Sequence, residues 1–191
     1  MKYSPTDSAF MSSKDFFEVN KGYSKKVFLE IYPTPLLHLF CTARDSFIMA
    51  LNLDSTCHRQ VFGVGRSEDN EVFIPDISVS RFHADISYSK GNWTIEDKNS
   101  SNGVFINKER LPLGQRTDLD ANEKSIRLGF GDQIVCFFCT ADQVFTHFFL
   151  KNLSRNHKSG KIPVSSTTDT TAKNTIPKSE EIEQWKRKMR V

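Results

Sequence analysis

Between Val27 and Leu150 the chain is cut into short apolar runs separated by turn residues, and this spacing constrains the fold more than any other feature. The runs are VFLEI, LLHLF, SFIMALNL, VFGVG, EVFI, ADISY, WTIED, VFIN, SIRLGF, QIVCFF and VFTHFFL. Most are bounded by Arg-Asp, Asp-Asn, Lys-Gly-Asn, Asn-Ser-Ser-Asn-Gly or Gly-Asp steps. Segments of this length, rich in Val, Ile and Phe, suit strands, whereas packed helices need longer apolar periods. No 3.6-residue amphipathic pattern of useful length occurs before residue 150. The spacing predicts an all-β sandwich of about eleven short strands. Hydrophobic content of 38% with 16 Phe is enough for a core, and 191 residues hold one ordinary domain with some to spare.

The flanks have a different composition. Residues 1–26 are polar, with a Ser4-Pro5 step, and read as a flexible arm. Residues 27–152 form the predicted domain. Residues 153–178 are rich in Ser, Thr and Lys and bury too little apolar surface to offset chain entropy, so they read as a linker. In 179–191, Ser179 stands before Glu180, Glu181 and Glu183, while Lys186, Arg187, Lys188 and Arg190 follow. That order suits a helix cap and dipole, and Ile182, Trp185 and Met189 share one face, which predicts a short amphipathic helix. The chain carries a net charge of +3, but residues 151–191 alone carry +6 and the remainder −3. A basic tail of this kind gives nucleic acid one route of contact, through residues 151–191.

Four Cys stand at positions 41, 57, 136 and 139. The Cys136-Phe-Phe-Cys139 spacing resembles a metal or redox pair, but it falls in a predicted strand. Positions three apart there point to opposite faces, so we expect buried reduced thiols, no metal and no cofactor. The N-terminus has no apolar signal core and no run is long enough to cross a bilayer, so we expect a soluble intracellular protein. GxSxG, HExxH and GxxxxGK[ST] motifs are absent, and VFGVGRS lacks a third Gly and a following helical pattern. We expect a binding module and not an enzyme.

Three polar clusters stand at predicted strand ends: Gly65-Arg66, Ser80-Arg81-Phe82-His83 and Ser101-Asn102-Gly103. A guanidinium, hydroxyls and an amide on the loops of a rigid scaffold suit an oxyanion such as phosphate. This arrangement resembles the forkhead-associated (FHA) domain, a phosphothreonine-binding β-sandwich. Gly65-Arg66, Ser80-x-x-His83, Asn102-Gly103 and the following Asn107 match the family's motifs, and the resemblance covers roughly residues 27–151. It implies that Arg66, Ser80, Arg81 and Ser101 contact phosphate and that Asn102 holds the ligand backbone. It makes Gly65, His83, Gly103 and Asn107 structural, with His83 tying the loops through both ring nitrogens. The family discriminates at the third residue after the phosphothreonine, for which Ile77, Ser78, Val79 and the Asn99–Ser100 turn are the candidates.

The resemblance also implies an adaptor in DNA-damage, cell-cycle or meiotic signalling, with a nuclear location. Its partner is a phosphothreonine-containing protein. Thr6, Thr167, Thr168, Thr170, Thr171 and Thr175 are candidate phosphoacceptors for phospho-dependent self-association. Two alternatives stand beside this reading. One is the N-terminal regulatory part of a protein kinase, since such domains often precede kinase domains. The other is a nucleic-acid-associated adaptor acting through the basic tail.

Overall fold

The computed structural model describes residues 10–40, 46–54, 56, 59–131 and 134–150. The predicted linker and C-terminal helix, Cys41, Cys57 and the threonines named as phosphoacceptors lie outside the described residues. The elements run β1 (Met11–Ser12), α1 (Ser13–Asn20), α2 (Lys25–Ile31), β2 (Leu36–Phe40), β3 (Ser46–Ala50) and β4 (Arg59–Gly65). Then follow β5 (Val72–Phe73), β6 (Ala84–Ser89), β7 (Asn92–Asp97), β8 (Val104–Ile106), β9 (Glu109–Arg110) and β10 (Arg116–Asp118). The last are β11 (Ile126–Phe130), β12 (Ile134–Cys139), α3 (Ala141–Phe145) and a π-helical segment Thr146–Leu150.

The strands form two sheets, one of seven in the order β1-β3-β2-β12-β11-β8-β9 and one of five in the order β10-β7-β6-β4-β5. Among the described residues only β4 and β5 pair in parallel, through Val64–Val72 and Gly65–Phe73. The interior follows the strand period of two. Phe62 and Val64 of β4, Ile86 of β6, Ile95 of β7, Leu128 of β11 and Cys136 and Phe138 of β12 all enter the core between the sheets. The all-β sandwich is as the spacing predicts. Two turns explain the tight β6–β7 and β8–β9 hairpins. Lys90-Gly91 and Asn107-Lys108 each place two consecutive residues at positive φ, the backbone whose twist matches paired strands.

Three expectations need correction. VFLEI lies in α2, and VFTHFFL forms the end of α3 and the π-helical segment, so neither is a strand. In their place β1, β9 and β10 pair at sheet edges, where the short runs carry little apolar signal. Within the predicted arm, residues 10–26 hold β1, α1 and the start of α2. The physical reason is a second core on the outer face of the seven-stranded sheet, made by Phe16, Phe28, Tyr32, Leu36, Ile48, Cys139, Phe145 and Phe149. Ser12 caps α1 by accepting the Asp15 N–H, and Ser24 caps α2 by accepting the Val27 N–H. Helices of seven and eight residues are marginal alone and depend on such packing.

The second core also accounts for β2, which reads LLHLF without alternation. Leu37 and Leu39 face the sandwich interior while Leu36 packs under the helices, so the strand is covered on both sides. Cys136 and Cys139 divide in the same way, one in each core, as their spacing in a strand requires. Burial pushes the Cys139 thiol up to about 12, partly opposed by a hydrogen bond with Ser125.

Candidate functional site: the loop end of the sandwich

Strand β4 ends in Gly63-Val64-Gly65, and the chain beyond it is zipped to the loop that precedes β6. The His83 N–H donates to the Val64 carbonyl at 2.8 Å, the Arg66 N–H to Ser80 at 3.0 Å and the Ser67 N–H to Arg81 at 3.2 Å. Gly65 is required by this approach, because a Cβ there would sit 2.2 Å from the Arg81 carbonyl oxygen. Asn70, itself buried, donates its side-chain amide to the carbonyls of Ser67 and Arg81 and fixes the second turn of the loop.

His83 is fully buried and joins two loops. Its Nδ1 accepts the Ser80 N–H at 2.9 Å, which leaves the ring proton on Nε2, 3.1 Å from the Gly103 carbonyl. Burial holds its pKa below the usual histidine range, against the opposing pull of the Gly103 hydrogen bond and the Asp97 charge. The ring is therefore neutral at pH 7. The Ser80 N–H is spent on His83, so Ser80 faces the site with its hydroxyl alone.

The third loop is built on Asp97. This buried carboxylate accepts the Ser100 N–H at 2.8 Å and the Val104 N–H at 3.2 Å, and the Ser100 hydroxyl in turn accepts the Gly103 N–H. The Asn102 side-chain amide donates to the Ser78 carbonyl at 2.8 Å, and Ser101 donates its N–H to the Ser80 hydroxyl at 3.0 Å. Gly103 and Gly131 stand at positive φ, and a Cβ on Gly131 would lie 2.5 Å from the Ser78 carbonyl. The Gly131 N–H donates to the Gly103 carbonyl, so the β11–β12 turn closes the cluster.

Ser80 and Ser101 thus meet, with hydroxyl oxygens 3.4 Å apart, and Asn102 lies beside them. Arg66 and Arg81 are exposed and make no salt bridge among the described residues. Asn107 stands apart from this cluster. It occupies the β8–β9 turn and brackets Arg127, giving its N–H to the Arg127 carbonyl and accepting the Arg127 N–H on Oδ1.

Of the candidates for ligand discrimination, Val79 and Ser100 are buried, and Ser78 is tied to Asp76 through its N–H and hydroxyl. Ile77 is 95% exposed, and Asn99 is exposed at a φ of +62°. Sequence reasoning missed Asn70, Asp97, Gly131 and Arg110, and it placed Ser100 among the candidates for ligand discrimination, whereas the structure buries it as a support of the loop. Arg110 reaches the site because the β8–β9 hairpin folds it back, and its guanidinium fills the space a Cβ on Gly103 would take. Asp97 closes the WTIED run directly before the turn, and that position was its signal. Arg110 carries none.

Among the described residues no group of His, Cys, Asp and Glu could hold a metal ion, and no helix is long and apolar enough to cross a membrane. A family model, the FHA domain, matches residues 62–129. The chain is 35% identical over 92 residues to an FHA domain-containing protein of Arabidopsis thaliana, covering 47% of this chain and 22% of that protein. It is 30% identical over 146 residues to the serine/threonine-protein kinase cds1 of Schizosaccharomyces pombe, covering 71% of this chain and 30% of the kinase. The chain spans less than a third of the length of these two relatives.

Among solved structures, the N-terminal FHA domain of Saccharomyces cerevisiae Rad53p, in complex with a phosphothreonine peptide, is similar at 20% identity. It covers 57% of this chain and 96% of its own, with a TM-score of 0.46. The FHA domain of an Arabidopsis thaliana hypothetical protein matches at 26% identity over 56% of this chain and 86% of its own, with a TM-score of 0.44. The matched stretch opens on the strand that leads into Arg66 and closes on the strand that Asn107 brackets, and with all three loop clusters inside it the chain carries an FHA domain.

Proposed function

We propose that the loop end binds a phosphothreonine-containing segment of a partner protein, and that the chain acts as an adaptor in kinase signalling. One observation carries this reading. The Ser80 and Ser101 hydroxyls are held together by a buried neutral histidine and a buried carboxylate, on loops that also bear two exposed arginines. Such rigidity favours an anion, because donors already in place cost little ordering on binding. Arg66 and Arg81 supply charge-assisted hydrogen bonds to the phosphate, and the Ser80 and Ser101 hydroxyls complete its shell. Asn102, half-buried and anchored through Nδ2, presents Oδ1 to the ligand backbone; that oxygen has no hydrogen bond among the described residues. Ile77 offers an apolar contact to the ligand residue three positions on.

Similarity to a serine/threonine kinase over 71% of this chain favours a second reading, in which this domain is the regulatory part of a kinase. The resemblance to signalling members of the family supports a nuclear location, which imaging of the tagged chain tests. Binding to a degenerate phosphothreonine peptide library, beside the unphosphorylated library, tests the principal reading. We expect phosphate-dependent binding with an apolar preference three residues on, abolished in Arg66→Ala. Equal binding to both libraries refutes it.

A further inference from the structure

Strands β6 and β7 connect two ends of the molecule. Ala84 and Asp97 lie beside His83 and Ser100 at the loop end, while Ser89 and Asn92 meet at the Lys90-Gly91 turn. The strand length sets these ends about 17 Å apart. Around that distant turn lies a cleft of about 630 Å³ that shares no residue with the loop cluster.

Tyr32, Tyr88, Trp93 and Phe138 line the cleft. Trp93 is held in place by a stack on Phe62 at 5.8 Å, a tilted contact with Tyr88 and an edge contact with Phe138. Asp118, Asp120 and Asp142 also line it, and no Lys or Arg does. Lys25 pairs with Asp142, but Asp118 and Asp120 are exposed and form no salt bridge among the described residues. The Thr34 hydroxyl, another lining group, is buried without a hydrogen-bond partner among the described residues. Aromatic faces beside uncompensated carboxylates suit a cation carried on an apolar stem, which is a Lys or Arg side chain.

The chain itself carries the complementary charge. Residues 151–191 hold a net +6, against −3 for the rest, and four of the basic residues fall in Lys186-Arg187-Lys188-Met189-Arg190. The cleft is lined by Thr140, Ala141 and Asp142 at the start of α3, and the described chain ends at Leu150, eight residues after Asp142. A random coil as long as the stretch between Leu150 and Lys186 spans about 30 Å on average, enough to return to the cleft. Tethering raises the effective concentration of the segment to roughly millimolar. We propose that the cleft docks the chain's own segment around Lys186–Arg190, with a basic side chain against Trp93 and the carboxylates of Asp118 and Asp120.

The test uses the full chain and a fluorescein-labelled peptide of residues 179–191, read by anisotropy at low salt. In a chain with Lys186, Arg187, Lys188 and Arg190 replaced by Gln, the cleft is free, and the peptide should bind. Binding to the unaltered chain should be at least tenfold weaker, because the tethered segment competes. Adding Asp118→Asn and Asp120→Asn to the Gln-substituted chain should weaken binding at least fivefold. These positions are exposed, and Asn at 120 keeps the oxygen that accepts the Asn122 N–H, so the fold is preserved. A salt titration of the Gln-substituted chain gives a second readout and should weaken binding steeply. Absence of binding to the Gln-substituted chain overturns the proposal, as does binding indifferent to the two carboxylates. Equal binding to the Gln-substituted and unaltered chains overturns occupancy by the tethered segment. None of these outcomes depends on Arg66 or on phosphate, so they stand apart from the test of the loop end.

Discussion

The loop end is made of two layers that obey different rules. The inner layer is His83, Asp97, Ser100, Asn70 and the Gly103 backbone, polar groups that are buried and bonded to one another or to backbone. The outer layer is Arg66, Arg81 and Ser101, exposed and, for both arginines, without an ion pair among the described residues. Burying polar groups costs stability unless each is satisfied, so the inner layer tolerates little change. Exposed cations without carboxylate neighbours add almost nothing to folding. The outer layer therefore contributes little to the fold and the inner layer holds the outer one still, which is the division that the proposed phosphate contact requires.

Substitutions should separate the layers. The largest effect is expected for Asp97→Ala, which leaves the buried Ser100 and Val104 N–H groups without their acceptor. Each such donor costs about 1–3 kcal/mol, so urea denaturation should show a loss of about 4 kcal/mol. Phosphopeptide binding should fall with it. Gly65→Ala comes next. Its Cβ has no room against the Arg81 carbonyl, and opening that approach should cost about 3 kcal/mol by the same measurement. Arg66→Ala should behave in the opposite way. Its stability should stay within about 0.5 kcal/mol of the parent, while affinity for a phosphothreonine peptide, measured by calorimetry, drops about 100-fold. A stable Asp97→Ala protein, or an unstable Arg66→Ala one, would erase the distinction.

The outer layer was far more legible in the sequence than the inner one. Arg66, Ser80, Arg81, Ser101 and Asn102 stand at strand ends bounded by glycines and turn formers, and the structure gathers them at one end of the sandwich. Of the inner layer only His83 and Gly103 were visible. Asn70 and Ser100 look like ordinary turn residues until their partners are known, because those partners lie eleven and three residues away across a loop or within a turn. The strands of the sandwich were legible for the same reason as the outer layer, since strand alternation is a local signal. The helices on the outer face were not. Phe16, Phe28, Phe145 and Phe149 are ordered by one another, in helices too short for a 3.6-residue period to stand out.

Acid provides the mildest probe of the inner layer, and the sign of its effect follows from two buried histidines. His38, under the helices, is pushed down to about 4 by burial and secondarily by the charge of His147. His83 is lowered as well, chiefly by burial. His38 is neutral in the native protein from pH 7 down to 5, and His83 takes up its proton at lower pH in the folded chain than in the unfolded one, where each is protonated near pH 6.5. The unfolded state then binds more protons, so stability is complete above about pH 6.5 and falls as the pH drops. His38 alone should remove about 2 kcal/mol between pH 7.5 and 5. His38→Gln should abolish that share and leave a smaller acid sensitivity belonging to His83. Protonated Nδ1 no longer accepts the Ser80 N–H, so the Ser80 amide resonance should shift or broaden only at lower pH than that at which the residual loss sets in. A His38→Gln protein whose Ser80 amide titrates near pH 6.5 while its stability stays flat from pH 7.5 to 5 would mean that His83 is protonated as readily in the folded chain as in the unfolded one, and that the inner layer holds the loops without a neutral His83. The rigidity of the proposed phosphate site would then have to come from Asp97 and Asn70 alone.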